Sequence, residues 1–135
     1  MSCIVYIGLG SNQENPARQV LSAMDEINQL AHVTVLTRSS LYQTKPWGMV
    51  DQPDFINAVI QCKTSLSPRA LLEQLLLIEK SHGRVRKEKN GPRTLDCDIL
   101  LYDNEALNEP GLEIPHPMIT TRAFVLFPLA QIAPD

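Results

Sequence analysis

No stretch of this 135-residue sequence is long and apolar enough for a transmembrane helix. Nor does it open on a signal-peptide pattern. The N-terminus goes straight into a strand-like run, so a cytoplasmic protein is expected. Cysteine is scarce. Cys3, Cys62 and Cys97 form an odd set without metal-ligand spacing, and each sits in an apolar run, as reduced residues at or near a core do. Positive charge is not in surplus. The net charge of −3 and pI of about 5.6 exclude a general nucleic-acid or membrane-surface binder. Gly8-Leu9-Gly10-Ser11-Asn12 lacks both the Walker lysine and the full Gly-x-Gly-x-x-Gly spacing. It is expected to be a turn from a strand into a helix, not a nucleotide loop. Linkers, repeats and low-complexity segments are absent, so residues 1–135 are expected to form a single domain.

What is present follows a regular alternation. Cys3 to Leu9 is a short apolar run, expected as a buried strand. Asn15-Pro16 then supplies a cap and a first-turn proline, and Val20, Leu21, Met24, Ile27 and Leu30 follow at helical spacing over 16–31. Residues 33–43 hold Val33, Val35 and many β-formers and are expected as a strand. Residues 45–53 form a loop, and Phe55 to Lys63 is a strand with Ile56, Ala58 and Ile60 on one face and Phe55, Asn57 and Val59 on the other. Ser67-Pro68 opens a second helix with a stripe of Leu71, Leu72, Leu75 and Ile78, closed by Gly83. A basic loop spans 84–93, and a strand runs from Asp96 to Tyr102. Ile114-Pro115-His116-Pro117 is a rigid turn, and a last short helix, capped by Thr120 or Thr121, carries Phe124, Val125 and Leu129. The order predicts an α+β fold: a ferredoxin-like β-α-β-β-α-β sandwich with helices on one face and a C-terminal extension.

The chemistry concentrates in GPRTLDCDILLY, residues 91–102. A strand repeats every two residues, so Asp96 and Asp98 project from one face. Carboxylates so placed repel each other unless a cation intervenes. Mg²⁺ suits such a pair, because it takes one or two carboxylates together with phosphate oxygens. Lys80, Arg84, Arg86, Lys87, Lys89 and Arg93 crowd the preceding segment, opposed only by Glu88. A basic patch on an acidic protein fits a small polyanion. Solvated aspartates on an edge strand beside a solvated loop would account for the same residues. Phe55 and Asn57 set an aromatic surface beside an amide that donates and accepts, which suits a flat heterocycle, although a half-buried strand face needs no ligand. Glu79, taken alone, is a solvated helix carboxylate. His116, held between two prolines near Arg122, is equally a phosphate contact or a structural histidine.

Taken together, YIGLGSN, SSLYQTKPWG, DQPDFINAV, IEKSHGRVR, GPRTLDCDILLY and IPHPMITTRAFVLFPLAQIAPD cover almost the whole chain. In this order they resemble the 6-hydroxymethyl-7,8-dihydropterin pyrophosphokinase family. The resemblance implies transfer of pyrophosphate from ATP to a pterin hydroxymethyl group, with release of AMP, in folate biosynthesis. It implies that Asp96 and Asp98 bind two Mg²⁺ ions, that Arg84 and Arg93 act on the phosphates, and that Arg86 is a further nucleotide contact. Phe55 and Phe124 would sandwich the pterin, Asn57 would hydrogen-bond it, and Thr44 and Trp47 would line its pocket. Glu79, His116 and Arg122 would lie around ATP. Asn90 stands where some members carry a tryptophan. The expected partners are small-molecule substrates, with no nucleic acid and no membrane, for a chain acting as a monomer. A non-catalytic ferredoxin-like nucleotide-binding module is the alternative. Phe55 and Asn57 would serve either, but the aspartates with Arg84 and Arg93 would be surplus to a module.

Overall fold

The computed structural model describes residues 2–13, 15–44, 54–83, 95–103, 106–109, 112–115 and 123–132. Strict alternation builds its central sheet. Strand β1 (Cys3–Ser11) sends Val5, Ile7 and Leu9 into the main core and leaves Tyr6, Gly8 and Gly10 on the opposite face. β1 is the second strand from one end of the sheet, between β4 (Phe55–Thr64) and β5 (Asp96–Tyr102). The order is β2-β4-β1-β5, with β2 spanning Val33–Arg38 and β3 (Tyr42–Thr44) pairing the other half of β4. All these pairings are antiparallel. Helix α1 (Pro16–Asn28) connects β1 to β2, and α2 (Pro68–Ser81) connects β4 to β5. This is the expected ferredoxin-like arrangement.

The α1 and α2 stripes close one face. Val20, Ala23, Met24 and Ile27 from α1 meet Leu71, Leu75 and Ile78 from α2 over Val5, Ile7, Ala58, Ile60 and Cys62. Each such large apolar side chain contributes about 1.5–3 kcal/mol by leaving water. Leu21, expected in this stripe, is 46% exposed, since it lies at the stripe's margin.

Several boundaries differ from expectation. β1 runs on through Gly10 to Ser11 rather than turning at Gly10, because both neighbouring strands still pair at Gly10 and β4 pairs on to Ser11. The helix expected over 16–31 ends at Asn28, whose Oδ1 accepts from the Val35 amide at 2.9 Å and so ties the helix end to β2, which begins at Val33 as expected. Asn15 precedes α1 as expected, but its backbone is left-handed (φ 61°) and its side chain makes no capping bond. Ser67 does cap α2, accepting from the Ala70 amide at 3.2 Å. The single strand expected over 33–43 is broken at Ser39. Its buried hydroxyl accepts from the Val59 amide at 2.8 Å, while its own amide donates to the Val59 carbonyl at 2.9 Å. A short hairpin, β6 (Leu107–Glu109) with β7 (Leu112–Ile114), was not expected; Leu112 and Ile114 join the main core.

Helix α3 (Ala123–Ile132) packs on the other side of the sheet, not with α1 and α2. There Leu129 and Ile132 meet Val59, Leu100, Tyr6 and Leu101. Gln131 fastens the helix to the strand break. Its Oε1 accepts from the Ser40 amide at 2.8 Å and from the Tyr42 hydroxyl at 3.1 Å, and its Nε2 donates to Ser40 Oγ at 2.9 Å. Among the described residues no helix is long and apolar enough to cross a membrane.

Candidate active site

The α3 face of the sheet carries two cross-strand rows. In one, Asn57 of β4, Gly10 of β1 and Asp96 of β5 stand side by side; in the next, Val59, Gly8 and Asp98 do the same. Phe55 lies two residues beyond Asn57, on the same face and opposite Thr44 of β3. Because neither glycine has a side chain, β1 is a bare strip between the amide on one side and the two carboxylates on the other. The strip is occupied closely at one end. A Cβ on Gly10 would lie 2.6 Å from Asn57 Oδ1, whereas one on Gly8 would only touch Leu100 at 3.4 Å. Asn57 is 5% exposed, and Asp96, Asp98 and Phe55 are half-buried. A planar, polar-edged group and an anion-bound cation could therefore sit on either side of this one strand, two strand spacings apart.

The other face holds this surface in place. Glu79, in the last turn of α2, is 4% exposed rather than solvated, and its Oε2 accepts from the Cys97 amide at 2.7 Å. Cys97 itself points into the main core between the aspartates. The end of α2 is held to α1 by His82, whose Nε2 contacts Glu26 Oε2 at 2.8 Å and whose Nδ1 contacts Gln19 Oε1. Gly83 (φ 79°) then turns the chain out of the helix. The cysteines are free thiols: Cys62 and Cys97 are buried and Cys3 is partly so. Burial pushes the Cys62 thiol up to about 12, against the opposing pull of Arg38.

Of the residues singled out in the sequence, the structure brings Phe55, Asn57, Asp96 and Asp98 onto one face and places Glu79 behind them. Thr44 pairs with Phe55 through the backbone, and Phe124 lies in the first turn of α3, the helix that packs on this same face. Arg84, Arg86, Arg93, Trp47, His116 and Arg122 lie outside the described residues. Two participants escaped the sequence reading, Gly8 and Gly10. Their signal was available: glycines two apart within a strand mark a face where something approaches the backbone closely. No group of three or more His, Cys, Asp and Glu side chains able to hold a metal is assembled among the described residues. The aspartate pair alone still fits Mg²⁺, which needs few protein carboxylates when phosphate and water complete its shell.

Comparison with known proteins decides the family. The family model described as 7,8-dihydro-6-hydroxymethylpterin-pyrophosphokinase matches residues 6–134. The chain belongs to this family. A Haemophilus influenzae 2-amino-4-hydroxy-6-hydroxymethyldihydropteridine pyrophosphokinase is 48% identical over 130 residues, 96% of this chain and 81% of that protein. The Pseudomonas aeruginosa protein of the same name is 46% identical over 97% of this chain and 81% of its own length. A Pneumocystis carinii folic acid synthesis protein is 45% identical over 97% of this chain, a segment making up 18% of that longer protein. These names agree with the enzymatic reading of the family motifs and not with a binding module.

Proposed function

We propose that the protein transfers the pyrophosphoryl group of ATP to the hydroxymethyl oxygen of 6-hydroxymethyl-7,8-dihydropterin. The oxygen–Pβ bond forms, the bond from Pβ to the oxygen bridging Pα breaks, AMP departs with that oxygen, and the hydroxyl proton is lost to water. One observation carries the reading: Asn57, Gly10 and Asp96 stand in register on one face, with Asp98 in the next row. A recognition amide and a metal-binding pair are thereby one strand apart on either side of a bare strip. Asp96 and Asp98 would hold Mg²⁺, two ions in this reading. Bound there, the metal would neutralise the phosphates and polarise the reacting oxygens.

The remaining residues bind and orient. Asn57 offers donor and acceptor edges to the pterin, and Phe55 offers it a stacking face. Phe124 supplies the opposite face, with Thr44 and Trp47 lining the pocket. Arg84 and Arg93 stabilise charge on the transferred and leaving phosphates, Arg86 adds a nucleotide contact, and His116 and Arg122 surround ATP; Glu79, buried behind β5, lies on the other side of the sheet from that surface. Catalysis by such a set is mainly positioning and electrostatics. The protein acts in the cytoplasm, as a monomer, on small molecules. The test is direct: incubate the protein with ATP, Mg²⁺ and the hydroxymethyl pterin and measure AMP. AMP should form, and Asp96→Ala or Asp98→Ala should abolish it while circular dichroism stays native. Ligand binding without AMP would favour a non-catalytic module, and near-normal turnover in either variant would end the metal assignment.

A further inference from the structure

Glu79 is a carboxylate in a place built for leucine. Leu71, Leu75 and Ile78 on the same helix face are buried in the main core, and Glu79 is as buried as they are. Burying a charge is costly unless it is paired or hydrogen-bonded. Glu79 Oε2 accepts from the Cys97 amide at 2.7 Å, a buried bond between residues eighteen apart in sequence. Bonds from an amide to a carboxylate are shorter and stronger than neutral ones. β5 is the terminal strand of the sheet, so this acceptor is provided to it by a helix rather than by another strand.

The amide it holds belongs to the peptide joining Asp96 to Cys97. Fixing that peptide fixes the orientation in which β5 presents Asp96 and, one residue beyond Cys97, Asp98. The carboxylate is on the α2 side of the sheet, while the aspartates stand on the α3 side in register with Gly10 and Gly8. We propose that Glu79 is a positioning residue for the aspartate pair: from behind the strand, it holds Asp96 and Asp98 in the arrangement that receives a divalent cation. The inference rests on Asp96 and Asp98 being metal ligands.

Mn²⁺ binding, followed by electron paramagnetic resonance with an ATP analogue that cannot transfer its pyrophosphate, tests it without turnover. Glu79→Ala should weaken Mn²⁺ by roughly tenfold or more, the usual effect of losing a partner behind a metal ligand. Glu79→Met, similar in length and apolar like its neighbours, should do the same and serves if the alanine variant does not fold. Glu79→Gln keeps an acceptor oxygen and should bring affinity back towards wild type. Amide exchange at Cys97 should be slow in the wild type and the glutamine variant, and fast in the methionine variant. Unchanged Mn²⁺ affinity in a folded Glu79→Met protein overturns the proposal. So does a glutamine variant as weak as the methionine one, because the charge would then be acting on the ligand itself. Asp96→Asn separates the two levels. If it retains Mn²⁺ the metal reading fails, and if it loses Mn²⁺ while Glu79→Met does not, only the positioning role fails.

Discussion

Gly10 contributes by having no side chain. A Cβ there would sit 2.6 Å from Asn57 Oδ1, closer than any van der Waals contact, while at Gly8 the nearest atoms are the Leu100 methyls at 3.4 Å. Gly10→Ala should therefore push the Asn57 amide aside and weaken pterin binding by about 1–3 kcal/mol, the penalty for misaligning a buried polar group. ATP binding should change little, and Gly8→Ala should leave pterin affinity near wild type. Calorimetry with each ligand checks this, and equal effects of the two alanines would remove the argument. Cys62 makes a different prediction. Its folded pKa is about 12 against an ordinary value of 9.0, because burial opposes the thiolate. Above the ordinary value the unfolded thiol ionises while the folded one does not, so the unfolded state gains. Stability linked to Cys62 is full below about pH 9 and is lost as pH rises towards about 12, each pH unit between costing roughly tenfold in the folding equilibrium. Urea unfolding of wild type and Cys62→Ala across pH 8–11 should show the wild type losing ground steadily. A constant difference would mean that the thiol ionises normally. At this scale the sequence was most informative where one strand sufficed. The two-residue period put Asp96 with Asp98 and Phe55 with Asn57, and the structure agrees. It misled at Glu79, because a carboxylate beside an apolar stripe looks the same whether it faces water or an amide on a strand folded against it.

Elements were legible in kind and less so at their ends. Both helices begin at the prolines expected, yet only Ser67 caps through its side chain; Asn15 instead turns the chain through a left-handed conformation. Local residue types cannot separate those cases, since asparagine suits both. The broken edge strand was hidden for a similar reason. Ser39 and Ser40 sit among β-formers, and only pairing with β4 reveals that the Ser39 hydroxyl replaces a backbone acceptor for the Val59 amide. The consequence reaches the candidate site, because the break lets β3 pair beside Phe55 and Asn57. Ser67→Ala should cost about 1 kcal/mol, as loss of an N-cap does. Ser39→Ala should cost about 1–3 kcal/mol, because it leaves a buried amide without that acceptor. Denaturant unfolding ranks the two, and a Ser39→Ala protein as stable as wild type would show that the break is held by other contacts, such as those of Gln131.

The whole molecule is asymmetric about its sheet. One face is closed by α1 and α2 over a core that reaches every long strand, and the other is covered by α3, where Val59, Leu100 and Leu129 pack together among the described residues. Element order was enough to foresee the ferredoxin-like sheet, since only a few topologies connect those elements without crossing. It could not foresee which face α3 takes, because an apolar C-terminal helix can cover either. That choice matters: α3, with Phe124 in its first turn, packs on the face that carries Phe55 and Asn57, so one face gathers elements from both halves of the chain. Local opening costs least in elements that lie outside the sheet's hydrogen-bond ladder, and β1 and β4 are paired along both edges. Native-state hydrogen exchange should therefore find α3 opening well before β1 and β4, whose amides should exchange only by global unfolding. Because α3 supplies one wall of the proposed pterin site, adding pterin with a non-transferable ATP analogue should slow exchange in α3 far more than in β1 or β4. Protection of α3 that already equals that of β4 without ligand would mean that its packing on the sheet and the Gln131 bonds suffice to lock the helix, and that the site is preformed on both walls rather than completed by its substrates.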